Sequence, residues 1–344
     1  MTIFITGATG YIGGDALKAI ADNFPEVVST ITALVRNETR GAALQSAYPN
    51  IGIIYGSLDN TSLIEMEAAK ADIVVNLADA DHVPATNAIV AGLKRRAAQG
   101  KQSYLIHNSG TGILMFKDVE TDRYGEHSDK IFDDWEGIQE VTSLPDAAFH
   151  REVDKIVLAA GENTLIKTAI VCPPTIYGIG RGTGNQRSAQ IPMLAEAILK
   201  RGAGFQVGEG KANWTNVHVF DLSNLFAKLV GEALSGQNKA TWGAEGYYFA
   251  QGGEHASAKS WLISIITKIA ADKGLIQNNH VAKLSPEEVE KITAFGSRIW
   301  GQNSRCKAIR ARHLLGWSNS QHSLVDELPT AVDYEAKRLV STKA

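Results

Sequence analysis

The sequence predicts an α/β protein built on a doubly wound parallel sheet, and three observations lead there. Residues 1–14 read MTIFITGATGYIGG, an apolar β-branched run followed by Gly7, Gly10 and Gly13 at a spacing of three. Ile12, Ala16 and Ile20 then recur at helical intervals with Leu17 beside them, so strand, glycine turn and helix start lie within a few residues. Further strand-like runs alternate with helical patterns through the first half, as crossover helices between parallel strands require.

The opening turn carries the most information. Glycine is needed where the backbone bends sharply and where a diphosphate must approach without a Cβ in the way. The free N–H groups of the helix starting near Tyr11 then face the anion. Strand before and helix after turn three glycines into a strong dinucleotide-binding signal.

Length and composition set the bounds. A chain of 344 residues suits one large or two modest domains with ample core. A net charge of −3 gives no electrostatic pull toward nucleic acid or anionic lipid. No apolar run reaches membrane-span length, and a first strand beginning at residue 2 leaves no room for a signal peptide. Two cysteines, Cys172 and Cys306, do not make a disulfide framework or a cysteine-rich metal site. A cytoplasmic protein acting on a small molecule, with a homodimer allowed, is expected.

In chain order, strands are predicted at 2–6, 29–35, 51–55, 71–78 and 102–108, with a helix over 62–70. Pro84 opens another helix, with Ile89, Val90 and Leu93 on its apolar stripe. Residues 110–148 break the rhythm as a long insert, either a functional lid or loosely ordered surface. A helix follows over 149–160 and a strand over 164–171. The last third is more mixed, with helices at 188–200, 221–234, 257–273 and 285–297 and short strands at 205–207 and 247–250. The expected division is a Rossmann-type domain over 1–178 and a smaller, mostly helical substrate lobe over 179–344, from which 214–234 and 247–251 return to the first domain. Trp261, Trp300 and Trp317 are read as second-lobe core.

These segments together resemble the extended short-chain dehydrogenase/reductase family, the relatives of nucleotide-sugar epimerases and dihydroflavonol reductases. Residues 6–13, TGATGYIG, match its TGxxGxxG; Asn76-Leu77-Ala78 its NxA element; Ser109 its Ser/Thr at the end of strand five. Residues 173–178, PPTIYG, resemble its PxxxYG segment; 214–221 resemble W-x-x-V-H-V-x-D, and 314–317 a C-terminal LGW. The resemblance implies that Gly7, Thr9, Gly10, Tyr11, Ile12 and Gly13 hold the dinucleotide, joined by Leu77, Ala78, Asp79, Ser109, Pro173 and Thr175. Leu58 and Asp59 fall where the family lines the adenine pocket, and Thr111, Tyr177 and Arg187 where substrate lies.

Cofactor choice turns on the end of strand two, where a carboxylate binds the ribose 2′-OH and an arginine suits a 2′-phosphate. Arg36 stands there, Arg40 follows, and no acidic residue ends the strand. The guanidinium fork matches phosphate oxygens, so NADP(H) is expected over NAD(H).

The family's proton relay is a Tyr-x-x-x-Lys pair on one helix. Lys155 matches the lysine and is expected to hold the nicotinamide ribose, but Arg151 stands four residues before it. A guanidinium does not act as a general acid near pH 7, although it can stabilise an oxyanion or bind a carboxylate. Histidine is the usual acid–base residue, yet five residues is about 140° around a helix, off the Lys155 face, and His150 would have to lie at the helix start with the backbone already turning away. Tyr124 and Tyr177 are other candidate donors, and Ser109 is expected to polarise the substrate oxygen. Asp79, Asp81 and His82 follow strand four without a partner set for a metal, and none is expected. The leading function is an atypical NADP(H)-dependent oxidoreductase of this family, lacking the usual tyrosine and acting on a small organic carbonyl or alcohol. The alternatives are an NmrA-like dinucleotide-binding sensor without turnover and a non-redox epimerase or lyase with bound cofactor.

Overall fold

The computed structural model describes residues 1–253 and 259–341. Its centre is a seven-stranded parallel sheet. Strands β1 (Ile3–Thr6), β2 (Ile31–Val35), β3 (Gly52–Tyr55), β4 (Ile73–Asn76) and β5 (Ser103–Asn108) run in the order β3-β2-β1-β4-β5. Ile166–Cys172 lies beside β5, and Tyr247–Phe249 closes the edge. Strand order reverses between β1 and β4, the crevice where open α/β sheets bind ligands. Every residue of β1, β4 and β5 is buried, which is why these strands read as apolar runs rather than alternating ones.

Helices α1 (Tyr11–Asn23), α2 (Glu38–Ala47), α3 (Thr61–Lys70) and α4 (Val83–Ala97) link the first five strands. Tight packing between α3 and α4 depends on Gly92, where a Cβ would come within 2.4 Å of the Glu65 carbonyl. A second core gathers Leu194, Ile198, Phe205, Ile263, Ile266, Trp300 and Leu328. It lies among the helices Gln190–Arg201, Lys259–Asp272 and Leu324–Ser341. Asn216–His218 pairs in parallel with Thr175–Tyr177, outside the main sheet.

The insert is packed and hydrogen-bonded rather than loosely ordered. Ile113, Leu114, Val141 and Leu144 are buried in the first core. Phe132–Asp133 pairs with Cys306–Lys307. Asp134, fully buried, accepts N–H bonds from Phe249, Ile309 and Arg310 at 2.8–2.9 Å.

Four further expectations change. The helix expected over 149–160 begins at Arg151, because His150 takes a left-handed conformation. The helix expected over 285–297 is Pro286–Ile292, and a separate short helix starts at Gly296, the break falling where Phe295 has φ +62°. Trp261 is exposed, since the buried stripe of its helix is Leu262, Ile263, Ile266 and Ala270; Trp300 is in the second core and Trp317 in the first. The helix expected over 257–273 runs from Lys259 to Asp272, with residues 257 and 258 outside the described ones. No helix among the described residues is long and apolar enough to cross a membrane.

Candidate active site

The glycine turn is built as its spacing predicts. Gly7 has φ +77°, and a Cβ there would lie 2.4 Å from the Leu77 carbonyl oxygen at the end of β4. A Cβ on Gly13 would lie 2.1 Å from the Gly7 carbonyl, so only glycine lets α1 seat this close to β1. Gly10 precedes α1, and no side chain caps the helix, so its first-turn N–H groups can serve an anion. The cradle therefore fits a dinucleotide diphosphate.

A cavity of about 480 Å³ opens beside this turn, lined by Gly7, Thr9 and Gly10 together with Leu58, Leu77, Ala78 and Asp79. Arg36 and Arg40 line its far side. Neither guanidinium has a carboxylate partner among the described residues. A second cavity of about 310 Å³ shares Leu77 with the first and is lined by Tyr11, Ile12, Pro174, Ile176, Asn185 and Arg187. Of their neighbours, the Pro173 carbonyl accepts the Thr111 N–H at 2.9 Å, and buried Thr175 donates at 2.8 Å to Oε1 of Gln190, which lines the second cavity.

One row of the sheet is polar. Thr6 pairs with Asn76, and Asn76 with His107, across three adjacent strands. Thr6 Oγ1 donates to Asn76 Oδ1 at 2.6 Å, and Asn76 Nδ2 donates to His107 Nδ1 at 3.0 Å. That bond puts the proton of neutral His107 on Nε2, which is buried without a partner. Burial, reinforced by nearby His150 and opposed by Asp81, pulls the His107 pKa down to about 3, so this imidazole stays neutral.

Past β5 the side chains turn to chemistry. Ser109 and Thr111 are buried, and neither hydroxyl makes a hydrogen bond of normal geometry among the described residues. Ser109 stands beside Asp154, whose Oδ2 accepts from Tyr247 Oη at 3.0 Å. Neither Ser109 Oγ nor Asp154 Oδ1 completes a bond of normal geometry. Burial drives the Asp154 pKa up to about 6, against the lowering effect of Ser109, His150, Tyr247 and Arg151.

The helix Arg151–Ala160 distributes the predicted residues unexpectedly. Lys155 Nζ pairs with Asp146 Oδ1 at 2.7 Å, with 42% of its side chain exposed; like Ser109 and His150, it lines neither cavity. Asp146 belongs to the insert and holds the ammonium outward in this conformation. Arg151 is buried and donates from Nε to the Leu144 carbonyl at 2.9 Å, anchoring the insert instead of facing the turn.

His150 precedes the helix with φ +66°, a strain of about 1–3 kcal/mol. Its Nδ1 lies 2.7 Å from Asp81 Oδ1. Cβ atoms built on Gly110 and Gly112 would lie 2.9 and 3.2 Å from His150 Nε2, so this nitrogen faces the loop after β5. His150 stands at the helix start and, as its phase predicts, does not share the outward Lys155 face. Asp81 and Asp154 went unassigned in the sequence; the one available signal was the His150–Asp154 spacing of four.

The other candidates have structural partners. Tyr177 donates to the His322 carbonyl at 2.7 Å, and burial raises its pKa. Tyr124 packs against the second core. Arg187, in the wall of the second cavity, is held by Glu335 at 2.6 Å and Glu196 at 3.1 Å. His218, His322 and Glu327 place ligand-type atoms within 4.8 Å of one another. However, His218 Nδ1 accepts the Phe220 N–H at 3.1 Å, which leaves the proton on Nε2 and no lone pair there for a metal.

Comparison with known proteins agrees with this architecture. Residues 3–242 match the model of the NAD dependent epimerase/dehydratase family. The chain is 39% identical to the oxidase ucsJ of an Acremonium species, covering 98% of each chain. Among solved structures, it is similar to the UDP-glucose 4-epimerase of Thermotoga maritima, with a TM-score of 0.64 at 15% identity over 98% of this chain and 100% of that one. It is also similar to the dTDP-glucose 4,6-dehydratase DesIV of Streptomyces venezuelae, with NAD bound, with a TM-score of 0.64 at 17% identity over 98% and 97%.

Proposed function

Because the chain belongs to the NAD dependent epimerase/dehydratase family, and so to the extended short-chain dehydrogenase/reductases, we propose that it is an NADP(H)-dependent oxidoreductase acting on a small organic carbonyl or alcohol. The observation that carries the cofactor preference is the placing of two guanidiniums, Arg36 and Arg40, without carboxylate partners in the same cavity as the glycine turn. A 2′-phosphate is the natural ligand for such a fork. The similarity to an oxidase over nearly the full length supports redox chemistry.

When bound, the dinucleotide gives or takes a hydride. The chain's own part is to seat the diphosphate on the first turn of α1, hold the 2′-phosphate through Arg36 and Arg40, and offer the Ser109 hydroxyl, beside Asp154, to the substrate oxygen. Lys155 has no role in this scheme. The test is NADPH consumption across a panel of small carbonyl compounds, with NADP⁺ reduction across the matching alcohols. Turnover on at least one supports the reading. Tight NADPH binding with no turnover anywhere supports a dinucleotide-binding regulator instead, the alternative that the missing tyrosine and the outward Lys155 favour.

A further inference from the structure

Resting on that oxidoreductase reading, we infer that His150, held by Asp81, is the group that exchanges the proton with the substrate oxygen. Three segments distant in sequence meet to build it. Asp81 lies in the loop after β4, Gly110 and Gly112 in the loop after β5, and His150 at the start of the helix Arg151–Ala160. The carboxyl ends of adjacent strands are where this fold binds its ligand.

The arrangement fixes which nitrogen acts. An ionised carboxylate only accepts hydrogen bonds, so the 2.7 Å contact makes His150 Nδ1–H the donor to Asp81. Nε2 is then the exchanging atom, and it faces the Gly110–Gly112 backbone next to Ser109, where any side chain would collide with it. The left-handed backbone of His150 is what turns its ring there, and strain retained at such a position is a pointer to function. The Phe149 ring, 4.1 Å from the imidazole centroid, packs against it.

The rival donors are otherwise engaged. Lys155 is paired with Asp146, Arg151 with the Leu144 carbonyl, Tyr177 with the His322 carbonyl and Tyr247 with Asp154. In the oxidative direction the substrate O–H bond breaks and its proton passes to Nε2. The C–H electron pair leaves as hydride to the nicotinamide of NADP⁺, and the C=O bond forms. In reduction, Nε2–H of the imidazolium protonates the carbonyl oxygen as hydride arrives from NADPH. Asp81 keeps the Nδ1 hydrogen bond throughout and stabilises the imidazolium.

The test uses His150→Asn, since asparagine tolerates the left-handed backbone but does not exchange a proton near neutral pH, and Asp81→Asn as a second variant. The inference predicts a fall in kcat of about 10²–10⁴-fold for H150N with NADPH affinity by calorimetry unchanged. It also predicts a kcat pH profile that differs from the wild type's, Asp81, His107, Asp154 and Arg151 being the other titratable groups around the ring. Independently of activity, ¹⁵N NMR of histidine-labelled protein should show neutral His150 as the Nδ1–H tautomer in the wild type, and the D81N variant should lose that preference. Wild-type turnover that H150N matches in rate and pH profile, or an Nε2–H tautomer in the wild type, overturns the inference while leaving the oxidoreductase reading intact. A wild type that binds NADPH but transfers no hydride overturns both.

Discussion

Lys155 Nζ lies 2.7 Å from Asp146 Oδ1 in the insert, with 42% of the lysine side chain and 79% of the aspartate side chain exposed. The residue that best matches the family's ribose-binding lysine is thus an outward-facing member of a surface ion pair, and exposed pairs contribute little. Lys155→Ala is therefore expected to leave both dinucleotide affinity and the thermal midpoint unchanged, as read by calorimetry and a melting curve. Loss of binding would show that the ammonium swings inward when the cofactor arrives.

Asp15 is fully buried in α1 and receives Arg181 through Nε at 3.1 Å, Nη2 at 2.6 Å and the backbone N–H at 2.8 Å. The guanidinium also stacks on Phe220, 3.9 Å from the ring centroid. This pair fastens the loop 178–188 over α1. Breaking a fully buried pair costs about 3–5 kcal/mol. Because a third of the Arg181 side chain reaches solvent, Asp15→Ala is expected to cost about 2 kcal/mol in urea unfolding. A loss within error of zero would mean the loop is not held by this contact.

Asp154 gives a pH signature. Its pKa is about 6 in the folded protein, raised by burial, against an ordinary 3.8. Between those values the native state binds more protons than the unfolded chain, so this group's contribution to stability falls as pH rises from about 4 to about 6 and stays lost above. Two units correspond to roughly 3 kcal/mol as an upper figure. Asp154→Asn removes the titration, so the variant's stability relative to wild type should improve between pH 4 and 7 in urea melts. A difference independent of pH would contradict this.

Arg36→Asp places a carboxylate where the account needs a phosphate ligand. A charge-assisted hydrogen bond is worth about 1.5–3 kcal/mol, so NADPH affinity should fall by about 10–100-fold while NADH affinity holds or improves. An unchanged preference would remove Arg36 from its role.

Much of the cofactor half was legible because its logic is local. Gly7 and Gly13 are required by contacts within the turn and with β4, and the buried strands leave unbroken apolar runs. The helix α2 escaped notice because only Gly41 and Leu44 of its ten residues are buried. The C-terminal helix Leu324–Ser341 was hidden by Pro329 inside it. The catalytic half depends on long-range partners: Asp146 diverts Lys155, Leu144 holds Arg151, and Asp81 receives His150 from 69 residues away. A single positive φ at His150 shifts where its ring points, and no periodicity in the sequence encodes that.

The most direct test of the account is calorimetric titration of the purified wild-type chain with NADPH and with NADH. The account predicts one site per chain and tighter binding of NADPH. No heat from either dinucleotide would contradict it at its root, and tighter binding of NADH would contradict the role given to Arg36 and Arg40.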